Sequence, residues 1–351
     1  MKNWLAFAIG ILFMVSCKGD PSTSREEINP EADTTQIIQT NTELTDIEQY
    51  IITNPNSEKG YYQLASYYLK NNQPDLAFTQ VNKAMKMVPK DPDINLLKGK
   101  IYVALNKLDL GLPFIERSVE LDSLHIEGNL ALADIYLKGK DLDNSVKLIN
   151  TVISQNQYLA EPYFLKGIWY EMQGKTDLAI SSYQTTIERN PNYYDAYLKL
   201  GTIYNNQDNP LAIQYFNSAI SIHPKSIEAW RMKGMSYFDH EQFDLAIGCF
   251  DTILSFDSTF EVSHFDIGRA HLGMCYDNNP KTKNDSLLKE AITHFDKALF
   301  LNENYVPARY NRALCYENLG NLTLAKTEYK KILEIEVNYE PAVNALNRLE
   351  R

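Results

Sequence analysis

The stretch 163–191, YFLKGIWYEMQGKTDLAISSYQTTIERNP, carries the pattern on which the fold turns. A small residue stands at Gly167, an aromatic three positions later at Tyr170, a second small residue at Ala179 and a ring four beyond it at Tyr183. Residues three and four apart share one face of a helix. The spacing therefore predicts two helices that cross at their small residues. Small side chains let the two backbones approach, and the rings fill the space beside the crossing. Pro191 then stops the second helix.

Outward from this stretch the pattern recurs. The first small residue reappears at Ala65, Gly99, Ala133, Gly201, Gly234, Gly268 and Ala313, so that the successive intervals along the chain are 34, 34, 34, 34, 33, 34 and 45. The second returns at Ala77, Gly111, Ser145, Ala212, Ala246, Ala291 and Ala325, each followed four residues on by a bulky apolar side chain such as Val81, Ile149, Phe216, Phe250 or Tyr329. A fixed period of this length marks a stacked array, in which no pair buries its own apolar face and each leans on the next. An array grows in one dimension, so a length of 351 residues does not imply two separate cores.

This pattern resembles the tetratricopeptide repeat (TPR) family, and 229–254 (AWRMKGMSYF…LAIGCFDTIL) carries it as clearly as the first stretch. The resemblance implies an all-α fold, a right-handed α-α superhelix (solenoid) of about eight units with capping helices at both ends and a concave groove. The units are expected at about 58–91, 92–125, 126–159, 160–193, 194–226, 227–260, 261–305 and 306–339. Residues 43–57 read as a lone half-repeat helix. Residues 340–351 read as a capping helix, with Ala342, Ala345, Leu346 and Leu349 on its apolar stripe.

The N-terminus reads as an address. Met1-Lys2-Asn3 is followed by thirteen apolar residues, 4–16 (WLAFAIGILFMVS). That run is too short to cross a hydrocarbon core of ~30 Å as a helix and fits a secretory signal over 1–16. The sequence Met14-Val15-Ser16-Cys17 resembles a bacterial lipobox, with Met14 in place of the usual Leu. The resemblance implies lipidation of Cys17 and a membrane-anchored protein of the bacterial cell envelope, at the outer membrane, like TPR lipoproteins of Bacteroidetes. Residues 17–42 are expected to be the lipidated Cys and a polar, disordered tether.

Function is expected to be protein binding without catalysis. No nucleophile motif or phosphate loop is present, and no cofactor is implied. A formal net charge of −11 and the lack of a basic run argue against nucleic acid. His264, His271 and Cys275 share a helix face, but the histidines fill slots held elsewhere mostly by aromatics and no fourth ligand follows, so no metal is predicted. Cys249, Cys275 and Cys315 read as buried small apolar residues.

The TPR resemblance places the first helix of each pair along the groove. Its implied lining rows put the partner-binding contacts at Phe164, Ile168, Met172, Arg231, Met235, Phe238, Phe265 and Arg269. The Lys and Asn pattern with which one TPR subclass clamps acidic C-termini is absent: Tyr62, Ser66 and Leu96 occupy those rows beside Lys100. The seventh unit carries an insertion read as an exposed loop over 277–285. The alternative reading is a glycan- or nutrient-capture lipoprotein of an outer-membrane importer; that class adds a long non-repeat region for the sugar.

Overall fold

A computed structural model describes residues 30–277 and 284–350; for 30–41, 276 and 277 it describes the backbone alone. The segment expected to be a signal, Cys17 and most of the expected insertion loop lie outside the described residues. Contacts divide the chain into one unit ending at Pro89 and a second beginning at Lys90.

The N-terminal unit holds α1 (Pro30–Thr53), α2 (Glu58–Lys70) and α3 (Pro74–Met87). Helix α1 is longer than the half-repeat expected from the sequence. The stretch expected to be a disordered tether is helical from Pro30, where a fixed φ and a missing N–H suit the first helical position. Gly60 lets α1 and α2 meet: a Cβ there would lie 2.7 Å from Ile51 Cγ1.

In the C-terminal unit the helices come in pairs, a first (A) and a second (B) member. The pairs are α4 (Pro92–Ala104) and α5 (Leu108–Leu121), α6 (Ile126–Lys138) and α7 (Leu142–Gln155), α8 (Glu161–Glu171) and α9 (Thr176–Arg189). There follow α10 (Tyr194–Asn205) and α11 (Leu211–Ile222), α12 (Ile227–Asp239) and α13 (Phe243–Phe256), α14 (Glu261–Asp277) and α15 (Asp285–Leu301), α16 (Val306–Asn318) and α17 (Leu322–Ile335). The last helix is α18 (Glu340–Leu349). Among the described residues there is no strand, and no helix is long and apolar enough to cross a membrane.

Each crossing is built as the spacing requires. Tyr183, Phe216, Phe250 and Phe295 are fully buried, and each ring faces the glycine of its partner helix: Gly167, Gly201, Gly234 and Gly268. A Cβ on Gly234 would stand 2.5 Å from Phe250 Cε1, and one on Gly268 2.6 Å from Phe295 Cε1. At Ser145, which replaces the second small residue, the buried hydroxyl donates to Ala133 O at 2.9 Å. The hydrogen bond removes the cost of burying it.

Each described turn inside a pair holds one residue at positive φ: Asn72, Asn106, Lys140, Gly174, Asp208, Glu241 and Gly320, with φ from 52° to 81°; between α14 and α15, residues 278–283 lie outside the described residues. The slot keeps the period of the small residues, yet most of its occupants are not glycine. Helix α18 lays Ala342 and Ala345 against Tyr329 and Ile332, and Arg348 Nη2 reaches Glu317 at 2.7 and 2.8 Å.

Between α16 and α17 a charged group is buried. Glu328 Oε2 accepts from Arg309 Nη1 at 3.1 Å and from Arg312 Nη2 at 2.7 Å, and Arg312 Nη1 reaches Asp296 at 2.5 Å. Arg309 also donates to Glu303 O at 2.7 Å.

Candidate protein-interaction site

Half of the residues expected along the groove converge in space, and they do so around one that the sequence reading missed. Asp266, on α14, is 1% exposed. Its Oδ2 accepts from Arg231 Nε at 2.8 Å, across from α12, and its Oδ1 faces Arg269 Nη1 at 3.5 Å without accepting a hydrogen bond. The Arg269 guanidinium lies over the rings of Phe238 (4.5 Å) and Phe265 (5.6 Å). Phe265 in turn meets Tyr305 edge-on at 5.2 Å. Burial pushes the Asp266 carboxyl above its ordinary range, against the pull of Arg231 and then Arg269. Its slot carries no consistent mark: the equivalent position holds buried Leu97 and Leu165 in two units but Gln63, Lys199 and Asn311 in three others.

The other expected contacts sit elsewhere. Ile168 is half-buried and packs on two apolar clusters, one including Leu130 and Val152 before it, the other Leu200 and Ile203 after it. Met235 packs with Phe250 and with Ile267 of the following A helix. Both thus seal neighbouring repeats to each other, as apolar side chains at a stacking interface do. Met172, at the end of α8, is 40% exposed. The Phe164 ring tilts against Tyr183 at 5.6 Å and Tyr193 at 4.9 Å.

Of the eight expected contacts, Phe164 lines a cavity of this unit. That cavity, about 400 Å³, opens between α4, α6 and α8 over Leu130, Phe164 and Val103. Its charged wall is acidic: Glu127, Asp134 and Glu161, with Lys100 bound to Glu127 at 3.2 Å. Burial raises the Glu161 carboxyl; Lys100 opposes, and Glu127 and Asp134 add to the rise. In the N-terminal unit a larger cleft, about 800 Å³, lies between α1 and α2 and is lined by Tyr50, Tyr62 and Tyr67 with Lys59 and Lys70.

The histidines form a different group from the one expected. Cys275 is buried in an apolar cluster with Leu288 and Phe295. The neighbour of the two α14 histidines is instead His294 of α15: His264 Nδ1 stands 3.3 Å from His294 Nδ1, and the His271 ring centre is 5.7 Å from that of His294. His271 Nδ1 also faces Glu290 at 3.4 Å. Among the described residues no group of three such side chains is placed to hold a metal ion. Burial lowers His294 to about 4, with Lys297, His264 and His271 adding to the shift; His264 is lowered too, by burial and Lys297 against Asp251.

A histidine lowered in the folded state binds its proton more readily in the unfolded chain. Stability is then fully present above the unfolded value of 6.5 and falls as pH drops toward about 4. The full shift corresponds to roughly 3 kcal/mol, reduced to about 2 by partial exposure to solvent. Thermal unfolding followed between those pH values should show this loss in the wild type and a smaller one in His294→Gln. Equal pH slopes in both would sink the assignment.

Cys249, Cys275 and Cys315 are all buried free thiols. Burial pushes Cys249 up to about 11 and Cys315 to about 12, which keeps both protonated and unreactive at neutral pH.

Comparison with known proteins bears on the repeats directly. Tetratricopeptide-repeat models match residues 170–227 and again residues 306–347, segments that contain the α10–α11 and α16–α17 crossings. Both matched segments are tetratricopeptide repeats, and the chain resembles proteins built of them. Stacked repeats of this kind present extended surfaces suited to binding other proteins.

Among its relatives, the DnaJ homolog subfamily C member 7 homolog of Dictyostelium discoideum is 26% identical over 268 residues, 68% of this TPR chain and 48% of that protein. The chain spans about half the length or less of the curated relatives it matches. Two solved structures share its all-α superhelical repeat fold. A tetratricopeptide repeat protein from Parabacteroides merdae superposes with a TM-score of 0.51 at 15% identity, covering 74% of this chain and 99% of that one. PilW, described as a widely conserved type IV pilus biogenesis factor, gives 0.51 at 17%, covering 63% and 98%.

Proposed function

We propose that this TPR protein is a membrane-anchored scaffold or adaptor of the bacterial cell envelope, and that it holds partner proteins on the A helices of its C-terminal unit without catalysing a reaction. The observation that carries the partner site is the cluster of half-exposed Arg231, Arg269 and Phe265 fastened to buried Asp266. Arg and aromatic side chains held rigid in this way are the usual anchors of protein interfaces. The membrane part rests on the sequence around Cys17. Acyl chains contribute ~0.8 kcal/mol per buried methylene, so two or three of them anchor stably where one does not. Membership of an envelope machine agrees with the likeness to a pilus biogenesis factor.

Crosslinking in intact cells followed by fractionation tests both parts. The wild type should stay with membranes and recover a defined set of proteins, and Cys17→Ala should move to the soluble fraction. Retention on salt-washed membranes of a Cys17→Ala protein shown to have lost residues 1–16 overturns the lipid anchor. Recovery of a glycan importer alone favours nutrient capture over the scaffold.

A further inference from the structure

Arg231 and Arg269 differ from an ordinary pair of surface arginines in being held. Arg231 uses only Nε on Asp266, which leaves its two terminal amino groups to donate elsewhere, and its side chain is 40% exposed. Arg269 is 31% exposed and is braced on two rings while its Nη1 faces the same carboxylate. Two positive charges thus share one negative charge. Glu261, one turn earlier on α14, is bonded to Asn302 at 3.4 Å and is in ion-pair contact with neither arginine. The cluster keeps an unspent positive charge on planar donors whose positions are set in advance. Such a fork matches a carboxylate, and its prior ordering reduces the entropy lost on binding.

We propose that Arg231 and Arg269, positioned by Asp266, recognise an acidic residue of a partner polypeptide, with an apolar residue beside it on Phe238 and Phe265. The proposal rests on the scaffold reading and names the chemistry of its partner. The charge of the rest of the A-helix face supports it. The cavity over α4, α6 and α8 presents three carboxylates, Glu127, Asp134 and Glu161, beside the single lysine Lys100, and so disfavours another carboxylate. An acidic segment is therefore directed to the arginine cluster and away from that cavity.

The test uses the purified full chain and two pools of fluorescent nonapeptides. One pool has Asp or Glu at every third position among Phe, Leu and Ala; the other has Lys at those positions. The acidic pool should bind at least about tenfold more tightly than the Lys pool, and less tightly as salt rises. The neutral triple variant Arg231→Gln, Asp266→Asn, Arg269→Gln leaves no buried charge unpaired and should lose about tenfold in that affinity with its helical circular dichroism intact. Should the triple variant fail to fold, Arg231→Lys keeps the charge and loses the fork, and it should still weaken binding several-fold.

Equal binding of the two pools, no binding of the acidic pool, or undiminished binding by the folded variants overturns the proposal. Displacement of the acidic pool by inorganic pyrophosphate at equal concentration also overturns it, by showing a general anion site. Partners crosslinked in cells while the acidic pool fails to bind leave the scaffold standing and remove this site. An acidic pool that binds while cells yield no protein partner does the reverse.

Discussion

Gly201→Leu should destabilise the C-terminal unit by about 3 kcal/mol or more, the upper range for overpacking a core. A Cβ at Gly201 would sit 2.5 Å from Phe216 Cε1, 2.7 Å from Cδ1 and 3.0 Å from Cζ. These are atoms of a fully enclosed ring, which has no space to yield into, and the remaining carbons of leucine would go further into it. The helices α10 and α11 must then separate, and the neighbouring pairs lose the surface they stack on. Gly248 is the control. It lies on α13, and a Cβ there meets nothing within 4 Å. Gly248→Ala should therefore stabilise by up to about 1 kcal/mol, through helix propensity alone. Urea unfolding followed by circular dichroism reads both. An unchanged midpoint in Gly201→Leu would contradict the crossing; a destabilised Gly248→Ala would contradict the open face.

The second large effect is expected at Glu328. Its carboxylate is the shared partner of Arg309 and Arg312, and Arg309 is 5% exposed. Replacement by Gln removes the negative charge and leaves the buried Arg309 guanidinium with neutral acceptors only, Glu303 O and the new amide oxygen. Breaking a buried ion pair by removing one partner costs about 3–5 kcal/mol. Glu328→Gln should fall in that range. Adding Arg309→Met should recover much of the loss, because an apolar side chain of similar length replaces the stranded charge. The recovery separates the ion pair from simple packing. If the double variant is no more stable than Glu328→Gln, the buried charge is not the source of the effect.

The repeat was legible in the chain because the helix crossing demands side chains of fixed size at fixed spacing. Gly201 and Phe216 are fifteen residues apart, and their partnership recurs with the period, so the pattern exposes it. The same holds for Ala342 and Ala345 on the last helix. The positive-φ turn residues escaped, because Lys140 and Glu241 carry no compositional mark of that backbone. The start of α1 escaped because a polar stretch with few apolar residues shows no helical face to read.

For the site, the rows drawn from the family contained Arg231, Phe238, Phe265 and Arg269, and they also contained Ile168 and Met235, which seal repeat to repeat. The sequence by itself determined which helices pair and which small and large side chains meet at each crossing, since those contacts are local and periodic. Only the tertiary structure decided that Arg231 would be fastened to Asp266 and His264 set against His294. Those side chains come from different helices at least thirty residues apart, occupy slots filled otherwise in the remaining units, and meet only once the pairs have stacked.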